Sequence, residues 1–174
     1  MIVGGFQKFS MSDYPGKLSA IIFTRGCNFR CPYCHNPELV SPDRYVPPID
    51  IEEIFKFLES RKGKLDGVTI TGGEPTMHKD LPEFISKIKN MGFLIKLDTN
   101  GTNPVMVEQL LKDDLLDYVA MDYKAPENKY SEVVNTSVNV GSVQKTLKHI
   151  KNSDLDYEIR TTFYRNVLNL DDIQ

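Results

Sequence analysis

Apolar residues along this chain fall into two alternating rhythms, short β-favouring runs and longer stretches spaced at three and four residues. Residues 18–24 form an apolar, β-favouring run followed by Gly26. Asp50 and Glu53 make a capping-box signature, and Ile51, Ile54, Phe55 and Leu58 then follow helical spacing. Residues 67–71 read as the next strand, ending in Gly72-Gly73. The capping signature repeats at Asp80 and Glu83, with Leu81, Phe84, Ile85 and Ile88 on one helical face and Gly92 as the stop. A third strand over 93–97 runs into Asp98-Thr99-Asn100-Gly101, and Asn103-Pro104 opens a third helix. Residues 118–121 predict a fourth strand. Val143, Leu147 and Ile150 mark a helix near 141–150, residues 157–164 a fifth strand, and 170–174 the start of another helix.

Five β–α units with short apolar strands predict a parallel sheet flanked by helices. The period fits a barrel or part of one. A closed eight-fold barrel usually takes about 200 residues or more, so 174 residues are too few. The expectation is an α/β fold, a partial (β/α) barrel with parallel strands, with a doubly wound sheet as the other arrangement of the same units. One domain is expected over residues 1–174, with a lead-in of about 1–17. In either architecture functional side chains gather at the C-terminal strand ends. The segment from Cys27, the Gly72-Gly73-Glu74 turn, the Asp98 segment and Asp122-Tyr123-Lys124 all sit there.

Charge and composition narrow the function classes. Twenty-one basic and 24 acidic side chains give a net charge of −3, with no polybasic stretch to suit nucleic acid. The longest apolar runs are far too short to span a bilayer, and no basic flank precedes an apolar stretch at the N-terminus. The expectation is a cytoplasmic protein with neither nucleic acid nor membrane as partner.

The three cysteines change the picture most. Cys27, Cys31 and Cys34 lie within eight residues, in Cys-x3-Cys-x2-Cys spacing. So tight a cluster of odd number is a poor disulfide framework. Thiolates close in sequence can instead reach different corners of one iron–sulfur cube, and three ligands leave the fourth iron open. A zinc site with His35 as fourth ligand is the other reading, but His35 directly follows Cys34 and is cramped for a shared tetrahedral ion. By themselves Gly72-Gly73-Glu74 and Asp98-Thr99-Asn100-Gly101 read as turns, and Lys124 as a solvated lysine.

The cysteine spacing, with the aromatic Tyr33 before the third cysteine, resembles the radical S-adenosylmethionine superfamily, and the likeness extends from Asp13-Tyr14-Pro15-Gly16 to about Arg160. The resemblance implies a 4Fe–4S cluster on Cys27, Cys31 and Cys34 that cleaves S-adenosylmethionine to a 5′-deoxyadenosyl radical. It implies a site for the cofactor's amino group at Gly72, Gly73 and Glu74, a ribose contact at Asp98, a carboxylate contact at Lys124 beside Asp122, and the adenine near Tyr33. For Arg160 a strand-face ion pair is as good a reading as a cofactor contact, and His78 and His149 receive no role.

Within the superfamily, Cys34-His35-Asn36-Pro37-Glu38, Leu97-Asp98-Thr99-Asn100-Gly101 and Met121-Asp122-Tyr123-Lys124 resemble glycyl-radical-enzyme activases. Phe9-Ser10-Met11-Ser12-Asp13-Tyr14-Pro15-Gly16-Lys17 resembles the activating proteins of anaerobic ribonucleoside-triphosphate reductase, and more loosely those of pyruvate formate-lyase. That likeness implies a glycyl radical enzyme as protein substrate and reduced flavodoxin or ferredoxin as electron donor. Two alternatives stay open: a small radical enzyme acting on a metabolite, as the 7-carboxy-7-deazaguanine synthases do, and a non-enzymatic iron–sulfur or zinc module. The family pattern continues past the point where this chain stops, so a C-terminally truncated or unusually short member is expected.

Overall fold

The computed structural model describes residues 1–173. Eight residues of the lead-in form β1 (Val3–Ser10), which pairs antiparallel with β2 (Ser19–Thr24). After the cysteine segment come a single-turn helix, α1 (Pro37–Val40), and α2 (Ile51–Glu59). Asp50 caps α2 by accepting the Glu52 N–H at 3.0 Å, and Ile54 and Leu58 turn inward. β3 (Gly67–Gly72), α3 (Leu81–Asn90), β4 (Leu94–Thr99), α4 (Pro104–Lys112) and β5 (Tyr118–Asp122) follow in strict alternation. A further single turn, α5 (Tyr130–Val133), and α6 (Val140–Lys151) lead to β6 (Asp156–Arg160).

The six strands make one sheet in the order β1-β2-β3-β4-β5-β6, parallel from β2 onward. The order never reverses, which excludes the doubly wound alternative with its switch point. β1 and β6 remain separate edges, so the fold is a partial (β/α) barrel. Register explains the core. Ile22, Ile70, Leu97 and Val119 lie side by side across four strands, and all four are buried. β2 to β5 are buried along most of their length on both faces, and even their polar positions turn inward: Thr69 in β3 and Lys96 in β4 are buried.

Three expectations need correction. β1 was not foreseen; its Gly4-Gly5 pair and mixed polar positions carry no two-residue rhythm, and its partner β2 makes it a strand. The fifth parallel strand ends at Arg160, where its pairing with Asp122 on β5 ends, and not at residue 164. Asp80 starts α3 without a side-chain cap. At the end of the chain the structure has a 3-10 turn, Leu170–Ile173; Gln174 lies outside the described residues. Among these no helix is long and apolar enough to cross a membrane.

Candidate cluster and cofactor site

A cavity of about 380 Å³ opens where the parallel strands end. All ten residues expected to act there line it: Cys27, Cys31, Cys34 and Tyr33 from the loop after β2, Gly72, Gly73 and Glu74 from β3, and Asp98, Asp122 and Lys124 from β4 and β5. Arg160 lines it as well.

The cysteine loop is pinned by backbone. Gly26 N–H donates to Leu39 O at 2.7 Å, Arg30 N–H to Val134 O at 2.9 Å, and Cys34 N–H to Cys31 O at 3.1 Å. Buried Phe29 stands edge-on to Tyr130, whose hydroxyl accepts the Lys124 N–H at 3.2 Å. Loop and β5 end are thus braced by one aromatic post. All three thiols are free. Burial pushes the Cys27 thiol up to about 12 and raises that of Cys31. A bare thiolate is costly there, and a bound cation would offset that cost. Among the described residues no three His, Cys, Asp or Glu side chains converge on one metal ion. The donor set fits a cube, whose corners are spread apart, and His35 is exposed at the rim.

Gly72 and Gly73 are small because of the protein itself. Gly73 N–H donates to Thr24 O at 2.9 Å and Glu74 N–H to Gly26 O at 2.7 Å, so β3 runs on against the start of the cysteine loop. A Cβ at Gly73 would lie 1.9 Å from Gly26 O, and one at Gly72, where φ is +118°, 2.3 Å from Thr24 N. The backbone of Thr24 and Gly26 thus excludes any side chain at either glycine.

Glu74 is also committed inward. It is 1% exposed. Its Oε1 accepts from the Thr76 N–H at 3.1 Å, the Thr76 hydroxyl, and the Thr99 hydroxyl at 2.7 Å; Oε2 accepts the Asn100 N–H at 2.7 Å. Burial raises its pKa against the pull of those donors. The carboxylate therefore ties the end of β3 to the end of β4. Asn100, 6% exposed, does more than complete a turn. Its side-chain amide donates to Asn28 Oδ1 at 2.8 Å and reaches Cys27 Sγ at 3.9 Å. The partners in this web stand far apart in sequence, so no local pattern announced it.

The opposite wall is ionic. Lys96, buried in β4, pairs with Asp98 and lies 3.9 Å from Glu158. Arg160 bridges Asp98 at 3.2 Å and Asp122 at 3.3 Å, and Lys124 holds Asp122 at 3.0 Å. The alternative of a strand-face ion pair thus describes Arg160 as it stands. Tyr33 packs 5.1 Å from Tyr164, with the Lys124 ammonium 5.9 Å from its ring. Its hydroxyl is buried without a partner of normal geometry, and burial beside the Cys31 thiol raises its pKa.

The strand ends of an open parallel α/β barrel thus gather three free thiols, a glycine-tight turn and a charged wall around one cavity. The chain belongs to the Radical SAM superfamily, whose family model matches residues 21–173. It is 40% identical to a protein of Methanocaldococcus jannaschii provisionally named a glycyl-radical enzyme activating enzyme, over 99% of this chain and 72% of that one. A provisionally named GTP 3′,8-cyclase of Pyrococcus horikoshii is 34% identical over 75% of this chain and 41% of its own length. The 7-carboxy-7-deazaguanine synthase of Aquifex aeolicus is 34% identical over 56% of this chain and 42% of its own. The solved structure described as native anSMEcpe with bound AdoMet shares the fold, with a TM-score of 0.56 and 20% identity over 78% of this chain and 40% of that one.

Proposed function

We propose that this radical SAM enzyme generates a glycyl radical on a partner enzyme, with anaerobic ribonucleotide reductase as the first candidate. The observation that carries the reading is the 40% identity, over nearly the whole chain, to the Methanocaldococcus jannaschii protein. The activase-like motifs at three strand ends and in residues 9–17 support it. The likenesses to the GTP cyclase and the deazaguanine synthase, 34% identical over 75% and 56% of this chain, favour a metabolite substrate less.

In this reading Cys27, Cys31 and Cys34 hold a 4Fe–4S cluster, and the cavity takes S-adenosylmethionine. When bound, the pair supplies one-electron cleavage of the cofactor and a carbon-centred radical, with the electron delivered from reduced flavodoxin or ferredoxin. The chain's own residues position and shield. Gly72 and Gly73 offer backbone to the cofactor's amino group while Glu74 braces the turn from behind. Lys124, beside Asp122, meets the carboxylate, Asp98 the ribose, and the Tyr33 segment the adenine. The Tyr33 and Tyr164 rings close that side of the cavity against water.

The test is anaerobic incubation of reduced protein, S-adenosylmethionine and a ribonucleotide reductase whose candidate glycine carries deuterium at its α-carbon. Deuterium in 5′-deoxyadenosine and a glycyl radical by electron paramagnetic resonance are expected. Turnover of a small molecule with no transfer from any glycyl radical enzyme would give the site to a metabolite instead.

A further inference from the structure

We infer that Asn100 is a positioning residue for the cluster ligand Cys27, and that its side-chain amide sets the potential at which the cluster takes its electron. The inference rests on the reading of Cys27, Cys31 and Cys34 as cluster ligands and goes beyond it by naming a residue behind them.

The orientation of the Asn100 amide is fixed by its neighbours. Its Oδ1 accepts both the Thr102 N–H at 3.0 Å and the Thr102 hydroxyl at 2.7 Å. The Thr102 hydroxyl in turn accepts from Asn28 Nδ2 at 2.8 Å, and Asn28 Oδ1 accepts from Asn100 Nδ2 at 2.8 Å. The three side chains close a ring of donors pointing one way round, and such rings polarise themselves cooperatively. A flipped Asn100 would set its NH2 against the Thr102 backbone N–H, donor against donor. The remaining N–H of Asn100 therefore belongs to the side that faces Cys27 Sγ, 3.9 Å away. The Asn100 backbone is held as firmly, by Glu74.

Cys27 is where such a donor matters. Burial makes negative charge on its sulfur costly. The Phe29 N–H at 3.4 Å already offsets part of that cost, and the Asn100 amide adds a second, neutral donor. When a one-electron reductant reduces a cluster, the thiolate sulfurs gain electron density. A donor fixed beside one of them then stabilises the reduced form more than the oxidised form and raises the potential. Asn28 and Asn100 come from different strand ends, so the device also reports whether the cysteine loop is seated against β4.

The experiment is a potentiometric titration of the anaerobically reconstituted protein followed by electron paramagnetic resonance. Iron content is measured on the same samples, without S-adenosylmethionine. Asn100→Leu removes the donor at similar volume. It should keep about four irons per chain. At the potential where the wild-type cluster is half reduced, its ratio of reduced to oxidised cluster should fall about three- to tenfold, the loss expected for one hydrogen bond. Asn100→Gln, which keeps an amide donor, should recover most of the shift. Thr102→Val, which frees the amide without touching it, should move the midpoint the same way by less, and it decides the matter if Asn100→Leu fails to hold its cluster. An unchanged midpoint in the variants that hold four irons, or an equal shift in Asn100→Gln and Asn100→Leu, overturns the role of Asn100. A wild-type protein that holds no cluster overturns the underlying reading instead.

Discussion

From β2 to β4 the strand ends are fastened by backbone contacts that leave no room, whereas from β4 to β6 they are fastened by ion pairs between side chains. On the first side, Gly73 lies against Gly26 backbone and the Glu74 carboxylate is ringed by four hydrogen bonds from Thr76, Thr99 and Asn100. On the second, Asp98 and Asp122 are spanned by Arg160, itself 39% exposed, and by Lys96 and Lys124. Close packing resists displacement steeply, while a partly wet ion pair gives way over an ångström or more at little cost. The thiols thus sit on the unyielding wall, and the Arg160 bridge across Asp98 and Asp122 on the adjustable one.

The strongest way to break this contrast is Gly73→Ala. Its methyl would collide with Gly26 O, and neither backbone has anywhere to go. We expect a loss of about 3 kcal/mol or more in unfolding free energy and failure to retain iron after reconstitution. A thermal melt and an iron assay check both, and a variant with wild-type melting and iron content would show that the wall yields.

Glu74→Gln comes next. An amide NH2 in place of either oxygen faces a backbone N–H, of Thr76 or of Asn100, so one donor is stranded at a cost of about 1–3 kcal/mol. The pH dependence has a definite sign. Burial holds the folded pKa of Glu74 above its unfolded value. Its contribution to stability is fully present below the unfolded pKa, near 4.5, and is lost as the pH rises through the raised folded value. The gap in stability between wild type and Glu74→Gln should therefore narrow on going from pH 4.5 toward neutrality, as urea titrations at stepped pH would record. A gap that widens would reverse the electrostatic reading of this carboxylate.

Arg160→Ala should have the smallest effect. Removing the bridge between Asp98 and Asp122 should cost less than about 1 kcal/mol, and the difference from wild type should shrink further near 1 M salt. Denaturant melts at low and high salt sharpen the contrast, because the Gly73→Ala defect should ignore salt altogether.

What was legible in the sequence follows the same division. The cysteine spacing, the Gly72-Gly73-Glu74 turn and the acids at the ends of β4 and β5 are local patterns at strand ends, and all of them line one cavity. β2 was legible from the unbroken apolar run Ala20-Ile21-Ile22-Phe23, and β3 to β5 from short β-favouring segments bounded by Gly and polar turns. The inward turn of Glu74 was not, because Thr99 and Asn100 meet it only once β3 and β4 pair. Nor was the duty of Gly73, which is set by a carbonyl on another segment. Residues 161–164 keep β-favouring side chains, so the sequence predicts a longer β6 than the pairing with β5, which ends at Arg160, allows.

The uninterrupted strand order also carries a consequence for assembly during synthesis. Each new strand finds its neighbour in the one made just before, so the sheet can grow in the order in which it is translated. The thiols emerge early, yet Glu74 and then Asn100, Thr102 and Tyr130, which hold the loop in place, emerge later. Until β4 has left the ribosome and α5 has followed, the three thiols belong to a loose peptide. A cluster of the kind proposed for them would therefore load late, when the barrel's lip already exists to receive it.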